Sequence, residues 1–381
     1  MVTASLTTAL LVSLPTAFLL LLARRSKSRR KGFLPGKVVW ITGASSGLGE
    51  QLAISAAARG AAGLILSGRR EDALQRVKKT CEEAARDAAA AAAAARRDGV
   101  VVAAAARVEV LPFDVADLEF VEKEAAARAI QFFGRVDALV LNAGISTRGS
   151  IEDTPLEVEQ RVMTVNYFGP AGLAKGLLKE TRATAAAAAA TATATAKTTA
   201  EERTAETAAA GAAPPPSGTG AQPQPAAAVR FVVINSVQGK FGMAFRSSYA
   251  ASKHALVGFF DCLRAEHAHR GVGVLNVFPG YVRTSLSVNA LTADGSKHAR
   301  MDETTAKGRD PREASPFCFS DWRRKVADDI WQAMAEGKDE VVLADLKTNV
   351  AVLLRSLAPR TLFGIMAKRA LKASVAGGGA Q

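Results

Sequence analysis

Cysteine is scarce in this chain of 381 residues: Cys81, Cys262 and Cys318 are the whole set. They are too few and too scattered for a disulfide framework or a zinc site. No metal centre is expected, and three reduced packing residues favour a reducing compartment. Arginines interleaved with aromatics and zinc-finger spacings are also missing, so the net charge of +13 does not read as a nucleic-acid footprint. Six basic residues instead crowd together at Arg24, Arg25, Lys27, Arg29, Arg30 and Lys31, directly after an apolar run. Their expected partner is the lipid headgroup layer.

That run, Leu6–Ala23, is 18 positions broken only by Thr, Ser and Pro15. Spanning the hydrocarbon core takes about 17–25 residues. No basic residue precedes the run, and arginines follow it, which is the reverse of a cleaved signal peptide. The expectation is an uncleaved single-pass anchor spanning residues 1–35 with its flank, the basic side and the catalytic domain being cytosolic.

From Gly36 the pattern becomes α/β. Short apolar runs at Lys37–Thr42, Gly63–Ser67, Val108–Phe113, Val136–Leu141, Arg230–Asn235 and Gly273–Phe278 alternate with helix-like segments. A seventh at Asp339–Ala344 follows a helix around Trp322–Ala335. Near-continuous apolar strands separated by helices predict a parallel sheet covered on both faces, hence one Rossmann-type doubly wound α/β domain at 36–345. Two stretches interrupt it. Residues 84–106 are alanine-rich and expected to lengthen the helix after the second strand. Residues 181–229 hold little beyond Ala, Thr, Pro, Gly and Gln, and are expected to form a disordered surface insertion with at most some alanine-driven helix. Without these and the first 35, about 270 residues remain, one domain's worth. The tail, 346–381, carries Val350, Leu353, Leu354, Leu357, Leu362, Phe363 and Leu371 among Arg355, Arg360, Lys368, Arg369 and Lys372. It reads either as an interfacial amphipathic helix or as a helix packed on the domain or a partner subunit.

Between the first strand and first helix stands Thr42-Gly43-Ala-Ser45-Ser46-Gly47-Leu48-Gly49. A pyrophosphate needs close backbone approach and free N–H groups at a positive helix end, which such a loop provides. The second strand ends in Ser67-Gly68-Arg69-Arg70. The acidic residue that an NAD site places there is missing, and two guanidinium groups are available for a 2′-phosphate, so NADP(H) is expected. Asp114, at the end of the third strand, can accept from an adenine amino group. Asn142-Ala143-Gly144, at the end of the fourth, lets the cofactor pass.

Ser236 closes the fifth strand, and Tyr249 and Lys253 lie four apart on the following helix, on one face. A tyrosine near its free pKa of about 10 exchanges protons poorly at neutrality. A nearby ammonium is expected to lower that value, so that Tyr249 can protonate a ketone oxygen, or deprotonate an alcohol, while Ser236 hydrogen-bonds the same oxygen. Asn166, an amide inside an apolar helical stretch, is expected to hold a water linking Lys253 to solvent.

Thr42–Gly49, Asn142–Gly144, Asn166, Ser236, Tyr249-Ala-Ala-Ser-Lys253 and Pro279-Gly280 with Thr284 together resemble the short-chain dehydrogenase/reductase family, in order from about Lys37 to Ala344. The resemblance implies a catalytic tetrad of Asn166, Ser236, Tyr249 and Lys253. It also implies that Lys253 binds the nicotinamide ribose and that Thr284 contacts the carboxamide. Oligomers are common in the family, so a homo-oligomer is allowed. The second half is more closely similar to one membrane-anchored branch, through Ser236-Val-Gln-Gly-Lys-Phe, Phe245-Arg-Ser-Ser-Tyr249 and Leu286-Ser-Val-Asn-Ala-Leu-Thr. That branch is associated with lipid metabolism, including reduction of acyl- or alkyl-dihydroxyacetone phosphate.

The expectation is therefore a membrane-bound, NADPH-dependent reductase of a lipophilic ketone, at the endoplasmic reticulum or peroxisome, with residues 281–320 covering the substrate. The competing readings are a reductase of 3-ketosphinganine or of a steroid or retinoid carbonyl, and a catalytically idle membrane-bound binding protein.

Overall fold

A computed structural model describes residues 32–95, 106–210, 229–282, 286, 289–297 and 319–377. The expected anchor at Leu6–Ala23 and Thr284 lie outside the described residues, as does most of the expected substrate cover. Phe33 to Gln381 form one unit of mutual contacts.

Seven strands, β1 (Val38–Thr42), β2 (Gly63–Gly68), β3 (Arg107–Pro112), β4 (Ala138–Leu141), β5 (Arg230–Ile234), β6 (Gly273–Pro279) and β7 (Glu340–Leu343), make one sheet in the order β3-β2-β1-β4-β5-β6-β7. Every pairing is parallel, with Trp40 level with Ile65 and Leu139, and Val233 level with Asn276. Each apolar run predicted a strand within a residue or two of where one lies.

Burial on both faces explains why the strands read as unbroken apolar runs. Val39, Ile41, Leu64, Leu66, Val140 and Val277 face one layer. Their neighbours Val38, Trp40, Ile65, Leu139 and Leu141 face the other. This is the period-two alternation of a strand covered twice. On the first face lie α1 (Gly47–Ala58) and α8 (Phe319–Ala335), joined where Trp331 Nε1 donates to the Leu52 carbonyl at 3.3 Å. Trp331 is fully buried, and its truncation to alanine would cost roughly 3–5 kcal/mol. On the second face lie α3 (Leu118–Lys123), α4 (Ala125–Phe133), α6 (Gly169–Ala210) and α7 (Ser247–His267), with Phe260 against Phe231. Local chemistry sets several helix ends. The Asp117 carboxylate accepts from Phe120 N–H to start α3, and Gly134, at φ 71°, terminates α4.

The first alanine-rich stretch lengthens α2 (Glu71–Ala95) over 84–95, and residues 96–105 lie outside the described residues. The second departs from expectation. Expected at 181–229 to be disordered with at most some alanine-driven helix, it is unbroken helix as far as Ala210 in α6, and residues 211–228 lie outside the described residues. Alanine has the highest helix propensity, and a helix already anchored by buried Leu173, Ala174 and Leu177 needs no new nucleus to propagate outward.

The tail forms two helices, α9 (Leu346–Leu357) and α10 (Pro359–Gly377), with the break at Pro359. Asp345 caps α9 by accepting from Thr348 N–H at 2.9 Å. These helices pack on the domain through Leu362, Leu354, Val352 and Met366 against Phe278, Val237 and Phe241. No helix among the described residues is long and apolar enough to cross a membrane.

Candidate active site

The strand order reverses between β1 and β4, and a cleft of about 770 Å³ opens at the C-terminal strand ends there, as expected for ligand sites in open parallel sheets. It is lined by Gly43, Ser45, Ser46, Gly47, Leu48, Arg69, Arg70, Asp114, Asn142, Ala143, Gly144, Ser236, Tyr249, Lys253, Pro279 and Gly280, residues from distant parts of the sequence brought to one place.

The loop between β1 and α1 owes its shape to glycine. Gly43 and Gly47 have φ values of 63° and 65°, in the left-handed region. A Cβ on Gly43 would come within 2.9 Å of the Ala143 Cα, and one on Gly49 would collide with the Gly43 carbonyl. Gly49 therefore supports the loop from beneath and does not line the cleft. Ser46 precedes α1 without making a side-chain cap, which leaves the first-turn N–H groups of that helix without a side-chain partner. Asn142 acts as a brace: its Nδ2 donates to the carbonyls of Thr42 and Gly43, both at 3.1 Å. Thr42 Oγ1 in turn donates to Val140 and accepts from the main-chain N–H groups of Asn142 and Ala143.

At the end of β2 both arginines are exposed. Arg69 lies 3.9 Å from Asp114, a long and solvated pair worth little. Asp114 also accepts from Ala116 N–H at 3.0 Å, a turn role.

The second group converges from β5 and α7. Tyr249 is buried and hydrogen-bonded to Ser236. Burial pushes its phenol above the ordinary value, against the opposing pull of that hydrogen bond and of the positive charges of Arg246 and Arg148. This corrects the expected activation by Lys253. The Lys253 Nζ stands 5.7 Å from the centroid of the tyrosine ring and donates to the Ile234 carbonyl at 3.0 Å. Its own ammonium is brought down by burial to about 8. Desolvation, which penalises the charged form, is the largest cause of both shifts.

Asn166 is fully buried. It sits on a single π turn, Thr164–Phe168, between α5 (Leu156–Met163) and α6. Such a turn is a recurrent feature of functional sites. Its Oδ1 accepts from Ile145 N–H at 2.8 Å, and its Nδ2 donates to the Ile145 carbonyl at 2.9 Å and to Ser252 Oγ at 3.0 Å. Both amide hydrogens are thus spent on the protein. The side chain clamps the loop after β4 to α7.

Two residues were not foreseen. Asn235 Nδ2 donates to the Lys253 carbonyl at 3.1 Å while its Oδ1 accepts from Ser236 N–H at 2.9 Å, tying the end of β5 to α7. A Cβ on Gly239 would fall 2.7 Å from that Oδ1, so the glycine makes room for the tie. Ser252, fully buried, relays between the Tyr249 carbonyl and Asn166. An amide and a hydroxyl at otherwise apolar positions were the available signals. Phe245, just before α7, has φ 62°, a strained value for a residue with a bulky side chain. Its carbonyl accepts from Gly149 N–H.

A doubly wound parallel sheet with a glycine loop at its first crossover, sharing one cleft with a Ser–Tyr–Lys group, defines an oxidoreductase domain of the dinucleotide-binding class. The comparisons name it more closely. The sequence matches the short chain dehydrogenase family over residues 37–109, 88–212 and 226–294. It is 38% identical over 348 residues to "Dehydrogenase/reductase SDR family member 7B" of Rattus norvegicus, covering 91% of this chain and 85% of the rat protein. To "Dehydrogenase/reductase SDR family protein 7-like" of Drosophila melanogaster it is 35% identical over 361 residues, 95% of this chain and 89% of the fly protein. Among solved structures, a chain from Beutenbergia cavernae assigned as an NAD(P)-dependent gluconate 5-dehydrogenase, with NADP bound at low occupancy, is 26% identical. It covers 82% of this chain and 95% of its own length, with a TM-score of 0.52. The chain belongs to the short-chain dehydrogenase/reductase family of oxidoreductases.

Proposed function

We propose that the chain is a membrane-anchored reductase that draws on NADPH to reduce a ketone on a lipophilic, anionic substrate resembling acyl- or alkyl-dihydroxyacetone phosphate. The observation that carries this reading is the meeting of Ser236, Tyr249 and Lys253 with the glycine loop in one cleft.

The residues present fit a dinucleotide. Gly47 at positive φ and the uncapped first turn of α1 offer backbone donors for a pyrophosphate. Arg69 and Arg70 line the same cleft without an acidic residue in the position that would select a ribose 2′-hydroxyl. Bound there, the reduced nicotinamide supplies the hydride. The protein's own part is the proton. Tyr249, held above its ordinary pKa, is a phenol at neutrality, which is the state that donates to a carbonyl oxygen as negative charge develops on it. Ser236 hydrogen-bonds the same oxygen, and the phenolate left behind is stabilised by Arg246 and Arg148. Lys253, titrating at about 8, is placed to hold a ribose hydroxyl and to return a proton near physiological pH.

Positive charge at the substrate end supports an anionic substrate. Arg161 and Lys297 line the cleft, and Arg148 and Arg246 act on the tyrosine. The apolar run Leu6–Ala23 with its basic flank supports single-pass anchoring at the endoplasmic reticulum or peroxisome, with a cytosolic catalytic domain. Pro279, Gly280 and Thr284 are assigned to the nicotinamide end.

NADPH consumption by the detergent-solubilised protein, with long-chain ketones bearing or lacking a phosphate, tests the reading. Turnover is expected with the phosphorylated lipids. Absence of both turnover and NADPH binding overturns it.

A further inference from the structure

The C-terminal helices carry a face that the domain leaves uncovered. On α9, Leu346, Val350, Leu353 and Leu357 are exposed by 79%, 46%, 58% and 74%. Spacings of four, three and four residues at 100° per residue keep all four within an arc of about 60°. These are not scattered surface leucines but one continuous stripe along the length of the helix. The next helix continues it with exposed Phe363 and Leu371, while Leu362 on α10 is buried against the domain.

Charge indicates what the stripe meets. Beyond the cap Asp345, no acidic residue occurs from Leu346 to Gln381, whereas Lys347, Arg355, Arg360, Lys368, Arg369 and Lys372 are all present. Arg355 lies over the Phe363 ring, 5.3 Å from its centroid, so cation and apolar side chain share one patch. An apolar stripe flanked only by cations complements a surface that is apolar beneath and anionic at its rim. Neither α9 nor α10 is long and apolar enough to cross a bilayer, so the mode is lying on it.

We infer that α9 and α10 form a second, interfacial membrane-docking face that takes up anionic phospholipid. It is built next to the active site. Leu362 packs on Val237 and Phe241, in the segment that begins one residue after Ser236. Ala344, one residue before the α9 cap, touches the position a Cβ on Gly280 would occupy, at 3.0 Å, and Gly280 lines the cleft. Docking through this face holds the substrate end of the cleft against the lipid from which an apolar substrate would arrive. The inference does not depend on the substrate assigned above.

The test uses the full chain in phosphatidylcholine vesicles with or without phosphatidylserine. Leu353→Trp puts a reporter on an exposed position of the stripe. Its added emission should shift blue and be quenched by tail-brominated phospholipid, more strongly with phosphatidylserine. Charge reversal at Lys368→Glu, Arg369→Glu and Lys372→Glu should abolish the phosphatidylserine dependence while circular dichroism stays unchanged. Emission untouched by brominated lipid overturns the inference, and so does quenching indifferent to both lipid charge and the reversal. A blue shift that appears in detergent as protein concentration rises, with a doubling of mass by light scattering, assigns the face to a second copy instead. Vesicle flotation reads the N-terminal anchor separately: a chain that floats with an unquenched reporter loses only this inference, and one that does not float loses both.

Discussion

The ammonium of Lys253 donates to the main-chain carbonyl of Ile234 at 3.0 Å, the residue two before Ser236 in sequence. The contact ties one of the three N–H groups of the ammonium to the end of β5, while Tyr249 stands one turn earlier on the same helix. Burial raises the Tyr249 phenol above its ordinary value, against the opposing pull of its hydrogen bond to Ser236 and of the charges of Arg246 and Arg148.

Replacing that acid should separate binding from chemistry. Tyr249→Phe removes the transferable proton and the hydrogen bond to Ser236 but keeps the buried ring. A loss of roughly 10²–10⁴ in kcat is expected, with NADPH affinity by fluorescence titration changed only a few-fold. Turnover near the parent rate would remove the tyrosine from the role assigned to it.

Burying Lys253 carries a signature in stability against pH. Its folded pKa, about 8, lies below the ordinary 10.5, so between those values the unfolded chain binds the extra proton and stability rises with pH. Below about 8 both states are protonated and the full cost is present. Lys253→Met, which does not titrate, should therefore stabilise the cofactor-free protein at pH 7 by ~2 kcal/mol, after loss of the bond to Ile234 is counted. The difference should shrink as pH approaches 10.5. Urea unfolding at pH 7 and pH 10 reads it, and a difference that grows with pH would contradict the sign.

Arg69 and Arg70 are proposed to select the 2′-phosphate. The double change Arg69→Ala, Arg70→Ala removes two guanidinium donors that are exposed and bear no part of the core, so folding should be unaffected. The ratio of kcat/KM for NADPH over NADH is expected to fall about 10²-fold. An unchanged ratio would assign the arginines to the start of α2, where Glu71 and Asp72 follow them.

Asn166 is a positioning residue whose loss should be felt mainly in stability. Asn166→Ala leaves the N–H and C=O of Ile145 and the hydroxyl of Ser252 without their partner in a buried site. About 2–4 kcal/mol of destabilisation is expected in chemical unfolding. Hydrogen exchange at the Ile145 amide should rise in the same variant. If stability holds and only turnover falls, the amide acts in the chemistry and not through the clamp.

Several features were written locally and could be read without coordinates. The seven strands were legible because a parallel sheet covered on both faces needs unbroken apolar runs. The glycine loop was legible because φ values of 63° and 65° at Gly43 and Gly47 require glycine. The four-residue spacing of Tyr249 and Lys253 announced a shared helix face. The full length of α6 is not legible in composition alone, because alanine propensity extends a helix that buried residues have already nucleated. Only tertiary structure could decide which partner each polar group would find. That Lys253 donates to Ile234 and that Asn166 bonds Ile145 depends on atoms 19 and 21 residues apart in sequence. The same is true of Asn235, which looked like the end of a strand and is the tie between the two halves of the catalytic group. Sequence determines which groups are available and how they repeat along an element; desolvation and hydrogen-bond competition are set only when the sheet and helices close around them.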